Sequence, residues 1–371
     1  MQRRRFLSSL AGAAALPAIS RLSMAAGTRP DLYVSCAVAA NGKFVVAGFA
    51  AGGQPRFEVP LPARGHGIAF HPTRAECVVF ARRPGAFAGI LDLSNGTDTN
   101  WIEAPATRRF SGHGIYTADG DRLIVAENNF EDGLGVLGIY DTRNRYRRIG
   151  EIPSHGVGPH QVRLMRDGKT IAVANGGILT HPLHGRDKLN IQTMAPNLSL
   201  VDALSGALRH SWSLPPHLHK LSIRHIDIDR QDRIAIAMQY EGDPHDDVAL
   251  VAIADRCDGI RLLRAPKTLE AKSQRYTGAI AFDSSGNYIA ASAPRGGITI
   301  VWNAVTGDYQ RHIDTPDTSG IAPTGKRGEF LLSGGDGAIH RADGQSGRFE
   351  TLSPPSNAHR WDNHMETTVS L

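Results

Sequence analysis

Short runs of alternating apolar and polar residues, separated by turn sequences, recur along most of the chain. The stretch SGHGIYTADGDRLIVAENN at 111–129 contains a His-Gly pair, an alternating run, an Asp-Gly turn and a second apolar run. A two-residue period interrupted by Gly, Asp or Asn is typical of a β-hairpin. The same arrangement predicts further hairpins at residues 64–83, 157–175, 223–239, 276–293 and 319–335. Almost no segment has the period of an amphipathic helix, so the pattern predicts an all-β protein.

A third apolar run follows most of these hairpins, and a short fourth run follows several of them. The third runs end in Asp or Asn and a turn that Gly often closes, as in GILDLSNG at 89–96 and ITIVWNAVTG at 298–307. Fourth runs include NWIEAP at 100–105 and LRHSWSLP at 208–215. A unit of four strands, repeated roughly every 40–65 residues, is the blade of a β-propeller.

The two ends of the chain decide the number of blades. Six hairpins start with an inner strand, residues 32–62 offer three strands without one, and RWDNHMETTVSL at 360–371 offers an inner strand with no followers. Joining the ends completes a seventh blade and removes the exposed sheet edges that an open array of blades would leave. We therefore predict a seven-bladed β-propeller, closed by pairing the N- and C-terminal strands, as a single domain over residues 26–371. Six blades with an added hairpin are the alternative.

The first 25 residues have the pattern of an export signal. A basic cluster precedes a modest apolar run and a small-residue exit, and the order Arg3-Arg4-Arg5-Phe6-Leu7 is similar to the twin-arginine motif. We expect residues 1–25 to be a signal peptide, and the mature protein to be periplasmic after export by the twin-arginine route. An ordinary secretory signal or a retained anchor is the alternative. No later segment has the roughly 18 apolar residues that a membrane helix needs.

Composition argues against a nucleic-acid partner. The formal net charge of +5 falls to +1 when the four arginines of residues 1–25, a segment without acidic residues, are removed. Aromatic residues make up 6% of the chain, too few for a surface on which bases stack. A nearly neutral mature protein lacks the basic surface that phosphate backbones require.

Histidine recurs at the start of the predicted inner strands. Five of the seven blades have one there: His66, His113, His160, His225 and His364. Because inner strands line the channel of a propeller, these rings are expected to converge on the axis. Imidazole binds Fe, Cu, Zn and Ni at about 2.0–2.1 Å, so we predict a metal site with Fe or Cu as candidates. Histidines that bond within their own blades, as in WD repeats, or that face water are the alternative.

A long loop between the second and third strands of the fourth blade is dense in functional groups. Loops of this length in a compact domain are usually functional, although histidines that only pack the loop are common. The candidate ligand-binding residues are His181, His184, Arg186, Lys188 and Asn190, with Asn128 from the third blade. The same rim offers carboxylates for hydrolysis, although single acids on loops are usually only solvated: Glu127, Glu131, Asp132 and Asp243.

Four segments give the chain a family resemblance. RPDLYVSCA, LPARGHGIAFHPTRAECVVFARRPG, ANGGILTHPLHGRDKLN and RWDNHM resemble the DUF1513 family of exported bacterial proteins. The resemblance implies a periplasmic propeller, often encoded beside imelysin-type lipoproteins and a di-haem-peroxidase-like protein in iron-related gene clusters. The family's motif residues correspond to His66, His113, His160, His181, His184, Arg186, Lys188, Asn190, Asp362, Asn363 and His364.

These features favour a binding protein in iron or other transition-metal acquisition that uses the His-rich face of its channel. Its expected partners are imelysin-type or peroxidase-like periplasmic proteins. An enzyme at the same face, either a metal-dependent oxidoreductase or a lactonase-like hydrolase, is the second hypothesis. A protein-interaction scaffold is the third. The chain lacks the GxSxG, Walker and strand-to-helix GxGxxG motifs, which weakens the enzyme hypothesis.

Overall fold

A computed structural model describes residues 31–82, 85–185 and 187–368. In it, the segments with alternating apolar residues form strands, and turns that contain Gly, Asp or Asn separate them. The predicted signal at residues 1–25 and the candidate ligand residue Arg186 lie outside the described residues. The strands form seven four-stranded antiparallel sheets, which are the seven blades of a propeller. The predicted fold class and blade number are confirmed, and the alternative of six blades with a hairpin is wrong.

The first three blades contain β1 to β11 and the last strand of the chain. Blade 1 contains β1 (Leu32–Ala39), β2 (Phe44–Ala50), β3 (Pro55–Pro60) and, as its inner strand, β28 (His359–Thr367). Blade 2 contains β4 (Gly65–Phe70), β5 (Glu76–Ala81), β6 (Phe87–Asp92) and β7 (Thr97–Glu103). Blade 3 contains β8 (Arg108–Tyr116), β9 (Arg122–Asn129), β10 (Leu134–Asp141) and β11 (Arg147–Pro153).

The remaining four blades contain β12 to β27. Blade 4 contains β12 (Pro159–Leu164), β13 (Thr170–Asn175), β14 (Asn197–Asp202) and β15 (Leu208–Ser213). Blade 5 contains β16 (Leu221–Ile228), β17 (Ile234–Tyr240), β18 (Val251–Asp255) and β19 (Gly259–Leu263). Blade 6 contains β20 (Ile280–Phe282), β21 (Tyr288–Ala293), β22 (Ile298–Asn303) and β23 (Tyr309–Asp314). Blade 7 contains β24 (Thr318–Pro323), β25 (Glu329–Gly334), β26 (Ile339–Asp343) and β27 (Phe349–Ser353).

In the described residues, helical structure is confined to short connecting segments. The described residues contain one α-helix, α1 (Lys267–Lys272), and four 3-10 helices at Pro182–His184, Ile191–Thr193, Pro216–Leu218 and Pro294–Gly296. Within the described part of the chain, none of these helices has the length and apolar character that crossing a bilayer requires.

The ring closes where the C-terminal strand β28 pairs antiparallel with β1. The register runs from Tyr33 opposite Thr367 to Ala39 opposite His359, with an irregularity between Ser35 and Ala37. Three aromatic rings pack beside this junction: Phe49 of β2 lies between Tyr33 of β1 and Trp361 of β28, with ring centroids 5.9 and 5.3 Å away. Pairing the two ends satisfies the backbone groups that would otherwise form two open sheet edges.

Apolar side chains from adjacent blades interlock to form the core. Between blades 2 and 3, for example, Val78 and Phe80 of β5 lie in one cluster with Phe110 of β8 and Val125 of β9. Burial falls from the inner strands toward the outer ones, and five of the six residues of β15 are exposed. Each blade is therefore fixed by its neighbours, and the start of each inner strand is held in place around the channel.

Candidate metal centre

A β-bulge interrupts the inner strand of six blades at the level of the predicted channel residues. In blade 2 the register breaks between Gly65 and Ile68, and in blade 4 it breaks between Pro159 and Gln161. The corresponding breaks in blades 1, 3, 5 and 7 fall within 361–365, 110–114, 223–225 and 318–320. A bulge adds a residue to one strand and redirects its side chains, which is how these residues leave the ordinary alternation of the sheet.

The bulges bring all five predicted channel histidines into one cluster. Ring centroids are 4.8 Å apart for His66 and His113, 4.7 Å for His160 and His225, and 4.4 Å for His225 and His364. The rings of His66 and His225 lie 6.3 Å apart. All five side chains are buried, with 3–7% of their surface exposed. Ring closure therefore joins residues that are almost 300 positions apart in the sequence.

Two glycines beside the histidines permit this close packing. A Cβ atom at position 67 would lie 2.5 Å from both the Gly112 carbonyl oxygen and Nδ1 of His113. A Cβ at position 112, where φ is +98°, would lie 2.7 Å from Cδ2 of His66. Gly67, which follows His66, and Gly112, which precedes His113, thus make space for the imidazole of the neighbouring blade.

Four of the rings have the nitrogen spacing of a candidate metal site. One nitrogen from each of His66, His113, His160 and His225 forms a set whose members all lie within 4.8 Å of one another. Opposite ligands of a metal bound at about 2.05 Å are about 4.1 Å apart, so the widest pair would have to close by less than about 1 Å. His364 lies outside this set of four but contacts three of its rings.

The closest nitrogens in the cluster are the Nε2 atoms of His160 and His225, which lie 2.9 Å apart. Two nitrogens bound at right angles to one metal ion, each at about 2.05 Å, are about 2.9 Å apart. The pair therefore fits adjacent positions of a square-planar or octahedral ion. Without a metal, the same distance allows one ring to donate a hydrogen bond to the other.

Several ring nitrogens in the cluster have no hydrogen-bond partner. These buried atoms are Nδ1 of His66, Nε2 of His113, Nδ1 of His225 and Nε2 of His364. A buried polar atom without a partner costs about 1–3 kcal/mol, and an ion or water is a usual reason for its retention. All four atoms belong to rings of the axial cluster, three of which also contribute to the set of four nitrogens with the spacing of a metal site.

Burial lowers the pKa of all five imidazoles, because a charged ring would lose its hydration in the interior. Neighbouring positive charges lower these pKa values further, among them Arg82, Arg163 and Arg224. The pKa of His364 falls to about 3. The rings are therefore neutral at pH 7, and a neutral imidazole keeps one nitrogen lone pair available for a metal ion.

The carboxylate of Asp362 ties the closing strand to blade 2. Arg64 donates to both of its oxygens, with Nη2 lying 2.9 Å from Oδ1, and Arg82 donates from Nη1 to Oδ1 at 3.0 Å. Asp362 is 4% exposed, so its carboxylate is buried, whereas the two guanidinium groups stay partly open to water. Because Asp362 belongs to the same bulge as His364, the two arginines hold that bulge against the rest of the cluster.

A cavity of about 210 Å³ opens above the cluster on the rim of the propeller. Three of the imidazoles, those of His66, His160 and His225, line it. Its other lining residues are Arg82, Ser111, Ile178, Thr180, Lys188, Arg224, Gln239, Glu241, Tyr276 and Asn363. A small molecule in this cavity would contact the imidazoles directly.

A layer of charged groups follows the imidazoles farther along the same inner strands. Arg163 donates to both carboxylate oxygens of Glu366, at 3.1 and 2.6 Å. Asp227 accepts a hydrogen bond from the Phe282 backbone at 2.8 Å, and burial raises its pKa. These residues line a second cavity, of about 430 Å³, so the channel has two chemically different parts.

Of the described residues among the other predicted ligands, Lys188 is the one that lines the upper cavity. Asn128 donates from Nδ2 to Oγ of Ser111, a cavity residue, at 3.3 Å. Asn190 accepts from the Leu179 backbone at 2.7 Å and donates to the Gly177 carbonyl at 2.9 Å, which shapes the loop.

The two loop histidines lie elsewhere. His181 packs against Phe130 at 5.2 Å and its ring accepts a backbone hydrogen bond, whereas His184 is exposed. Neither belongs to the cavity lining. A ligand-binding role for these loop residues, Arg186 included, stays a prediction.

One rim assignment from the sequence is wrong. Glu127 is fully buried within β9 and accepts hydrogen bonds from Tyr140 at 2.7 Å and from Arg148 at 2.9 Å. It joins neighbouring strands instead of facing the ligand side, because its position in the strand alternation points it into the sheet interface.

Sequence reasoning also missed several cavity residues. Arg82 and Gln239 lie at the rim end of second strands, and Arg224 occupies the bulge beside His225. Proximity to the His-bearing hairpins was the signal available for Arg82 and Arg224. Nothing in the local pattern singled out Tyr276.

Comparison with solved structures supports the fold. A chain described as hydrazine synthase from Kuenenia stuttgartiensis matches with a TM-score of 0.58 and 15% sequence identity, covering 86% of this chain and 94% of that one. At this identity the similarity concerns the fold alone. A search of curated proteins found no match.

Comparison with protein families assigns the sequence over most of its length. The match extends over residues 59–368 and therefore includes all five histidines of the cluster. The family is described as a protein of unknown function. The chain accordingly belongs to the DUF1513 family.

Proposed function

We propose that this protein binds a transition-metal ion at the five-histidine cluster on the propeller axis. The observation that carries the proposal is the set of four buried imidazole nitrogens, from four different blades, that all lie within 4.8 Å of one another. Three of these rings have a buried nitrogen without a hydrogen-bond partner. A purely structural cluster would gain from satisfying those nitrogens, whereas a metal site requires one nitrogen lone pair from each ring.

The ligand set favours late transition metals over hard cations. Its donors are neutral imidazoles, which suit Cu, Fe, Zn and Ni, whereas Ca²⁺ and Mg²⁺ require oxygen ligands. The nearby carboxylate of Asp362 is already bound by Arg64 and Arg82. We propose copper or iron as the physiological metal, and the absence of an anionic protein ligand favours a divalent ion over a trivalent one.

Metal titration of the chelator-treated protein tests the proposal. We expect calorimetry to show one tight site for Cu²⁺ or Fe²⁺, and elemental analysis to return one metal per chain. The His113→Ala/His160→Ala double variant should lose this site. The exposed His210 of β15 supplies the control, since His210→Ala removes an imidazole far from the axis. Equal metal content in the double variant and the parent protein would exclude the axial site.

We further propose that the protein acts in the periplasm, in the acquisition of that metal together with imelysin-type or peroxidase-like partners. The basis for the location is the Arg3-Arg4-Arg5-Phe6-Leu7 sequence, and the basis for the role and partners is the family resemblance. In a host with a twin-arginine system, Arg3→Lys/Arg4→Lys should retain the protein in the cytoplasm, whereas Arg21→Lys should not. Normal export of the first variant would contradict this route.

A further inference from the structure

We propose that the cavity above the imidazoles holds a small oxygen-donor anion, such as a carboxylate, which binds the metal together with the histidines. The metal and the anion would then bind as one ternary complex. This inference rests on the metal site proposed above. It adds the chemical class of a second ligand and predicts that each ligand strengthens the binding of the other.

The position of the cavity is the first support. His66, His160 and His225 form one side of it, so a guest in the cavity reaches the nitrogens that the metal would share. Its volume of about 210 Å³ is much larger than one water requires, since a site of roughly 10–15 Å³ already holds a water molecule. The space therefore suits a ligand of several atoms next to the metal.

The charge of the cavity wall is the second support. Three cationic side chains line it, those of Arg82, Lys188 and Arg224, against the single carboxylate of Glu241. Glu241 is paired with Lys188, and Arg82 is paired with Asp362, but Asp362 also binds Arg64, so the cationic groups still outnumber the carboxylates. Outside the lining, the guanidinium of Arg295 lies 4.4 Å from the ring centroid of Tyr276 and adds positive charge behind that side chain. Such a wall attracts anions.

Two hydroxyl groups supply hydrogen-bond donors to the cavity. The Ser111 hydroxyl accepts a hydrogen bond from Asn128 at 3.3 Å, and the Tyr276 hydroxyl accepts one from Asn363 at 3.1 Å. A hydroxyl that accepts in this way still has its own proton to donate. Both hydroxyls thus belong to groups suited to hold a carboxylate or another oxyanion.

The positive charge of the metal ion and of the nearby arginines is the third support for a bound anion. Neutral imidazoles add no negative charge to a divalent ion, and Arg82 and Arg224 lie beside the same rings. Asp362 shares a bulge with His364, but Arg64 and Arg82 already bind its carboxylate. A metal bound by histidines alone would leave several positive charges close together in a partly buried site. An anion on the open side of the metal would compensate for them.

The test compares copper binding with two different anions. Cu²⁺ is titrated calorimetrically into the chelator-treated protein at equal ionic strength, in sodium perchlorate and in sodium acetate. Perchlorate coordinates weakly, whereas acetate is a small carboxylate. We expect the copper affinity to be about tenfold higher in acetate, a coupling within the range usual for two linked ligands. Acetate also complexes free copper weakly, which would lower the apparent affinity, so a gain cannot arise in solution.

Charge-removing variants locate the anion. Lys188→Gln and Arg224→Gln should each lose most of the increase in copper affinity that acetate gives. In perchlorate, each variant should bind copper at least as tightly as the parent, because a positive charge that repels the copper ion has been removed. The control is Arg348→Gln, on a side chain that is 73% exposed and outside the cavity lining, which should keep the full gain. A gain retained by both cavity variants would overturn the assignment.

The possible failures are distinguishable. Equal copper affinity in perchlorate and acetate overturns the ternary complex but leaves the metal site intact. Failure to bind copper in either salt, together with failure to bind Fe²⁺, overturns both the metal site and the inference that rests on it.

Discussion

His364 differs from the other four histidines of the cluster in its backbone. Its φ of +74° lies in the left-handed region, which a non-glycine residue occupies at a cost of about 1–3 kcal/mol. Two sets of contacts hold it there: Ser35 donates from Oγ to the His364 carbonyl at 2.7 Å, and the arginine-bound Asp362 lies two residues away. Strain that its surroundings enforce is common at functional sites, and here it turns the last histidine of the chain toward the axis.

The lowered pKa values of the five imidazoles predict acid sensitivity in the metal-free protein. The native rings resist protonation, whereas the same residues in the unfolded chain bind protons near pH 6.5. The unfolded state therefore gains protons first as the pH falls. The free energy of unfolding should then decrease below about pH 6.5, by up to about 1.4 kcal/mol per pH unit for each ring that stays neutral.

Urea unfolding between pH 7 and pH 5, with a chelator present, measures this dependence. His113→Gln should reduce the slope, because one neutral ring has been replaced by an amide that does not titrate. His210→Gln, on the exposed strand β15, should leave the slope as in the parent protein. A parent slope that His113→Gln does not change would mean that other groups cause the acid sensitivity.

At the scale of strands, the alternating pattern predicted the hairpins and the channel positions, but not the registers. Period-two alternation follows from burying one face of a strand, so it can be recognised in any single segment. A bulge depends on which neighbour a strand pairs with, and this is not encoded locally. Strand ends are also uncertain from sequence: Glu127 was assigned to the rim because the pattern predicts that the loop begins there, whereas β9 extends to Asn129 and Glu127 pairs with Tyr140 and Arg148.

The sequence pattern also predicted only some of the residues that line the cavity above the cluster. Its histidines were predictable because they recur at one position of a repeat, and repetition is visible in sequence. Arg82, Arg224 and Tyr276 occupy different positions in their blades, and only the closed ring brings them together. Residues that contribute through a unique tertiary position carry no periodic signal.

The glycine after His66 provides a test of the bulge geometry. In Gly67→Ala the new methyl group would lie 2.5 Å from both the Gly112 carbonyl oxygen and Nδ1 of His113, so both the Gly112 backbone and the His113 ring must move. We expect a loss of about 1–3 kcal/mol in the free energy of unfolding, as for an overpacked core position. Copper affinity should fall as well, because one of the four converging nitrogens is displaced.

Gly150 of β11 is the matched control for this substitution. An added Cβ there meets no atom within 4 Å, and its backbone is not in the left-handed region. Gly150→Ala should change the free energy of unfolding by less than about 1 kcal/mol, in the stabilising direction. Denaturant curves and copper titrations of both variants give the comparison. Parent-like copper affinity in Gly67→Ala would show that His113 is not held by this contact.

At the scale of the whole molecule, the candidate site exists only because the chain ends meet. His364 arrives on β28, which pairs with β1, and its ring lies 4.5 Å from that of His66. Opening the junction would therefore both expose two sheet edges and remove one imidazole from the cluster. Pairing of β28 with β1 therefore stabilises the propeller and also keeps His364 in the histidine cluster.

A disulfide across the junction should stabilise the ring. Val38 and Arg360 face each other in the β1–β28 register, and opposed residues of antiparallel strands have Cα atoms about 4.5–5.5 Å apart, within disulfide range. The bond would close a loop from residue 38 to residue 360, for which chain entropy sets an upper gain of about 6 kcal/mol. The exposed Cys257 is changed to Ser throughout to prevent exchange.

The control for the junction disulfide is a disulfide between Val38 and its neighbour on the other side, in β2. Val38 also faces Phe44 in the β1–β2 hairpin, so Val38→Cys/Phe44→Cys closes a very short loop, and its expected gain is at most about 2 kcal/mol. Thermal unfolding of oxidised and reduced samples measures both effects. The junction variant should show the larger rise in Tm on oxidation, because it prevents the unfolded chain from separating its ends. The contradicting result is that the hairpin pair oxidises but Val38→Cys/Arg360→Cys does not. The C-terminal strand would then not lie beside β1, and His364 would not belong to the cluster.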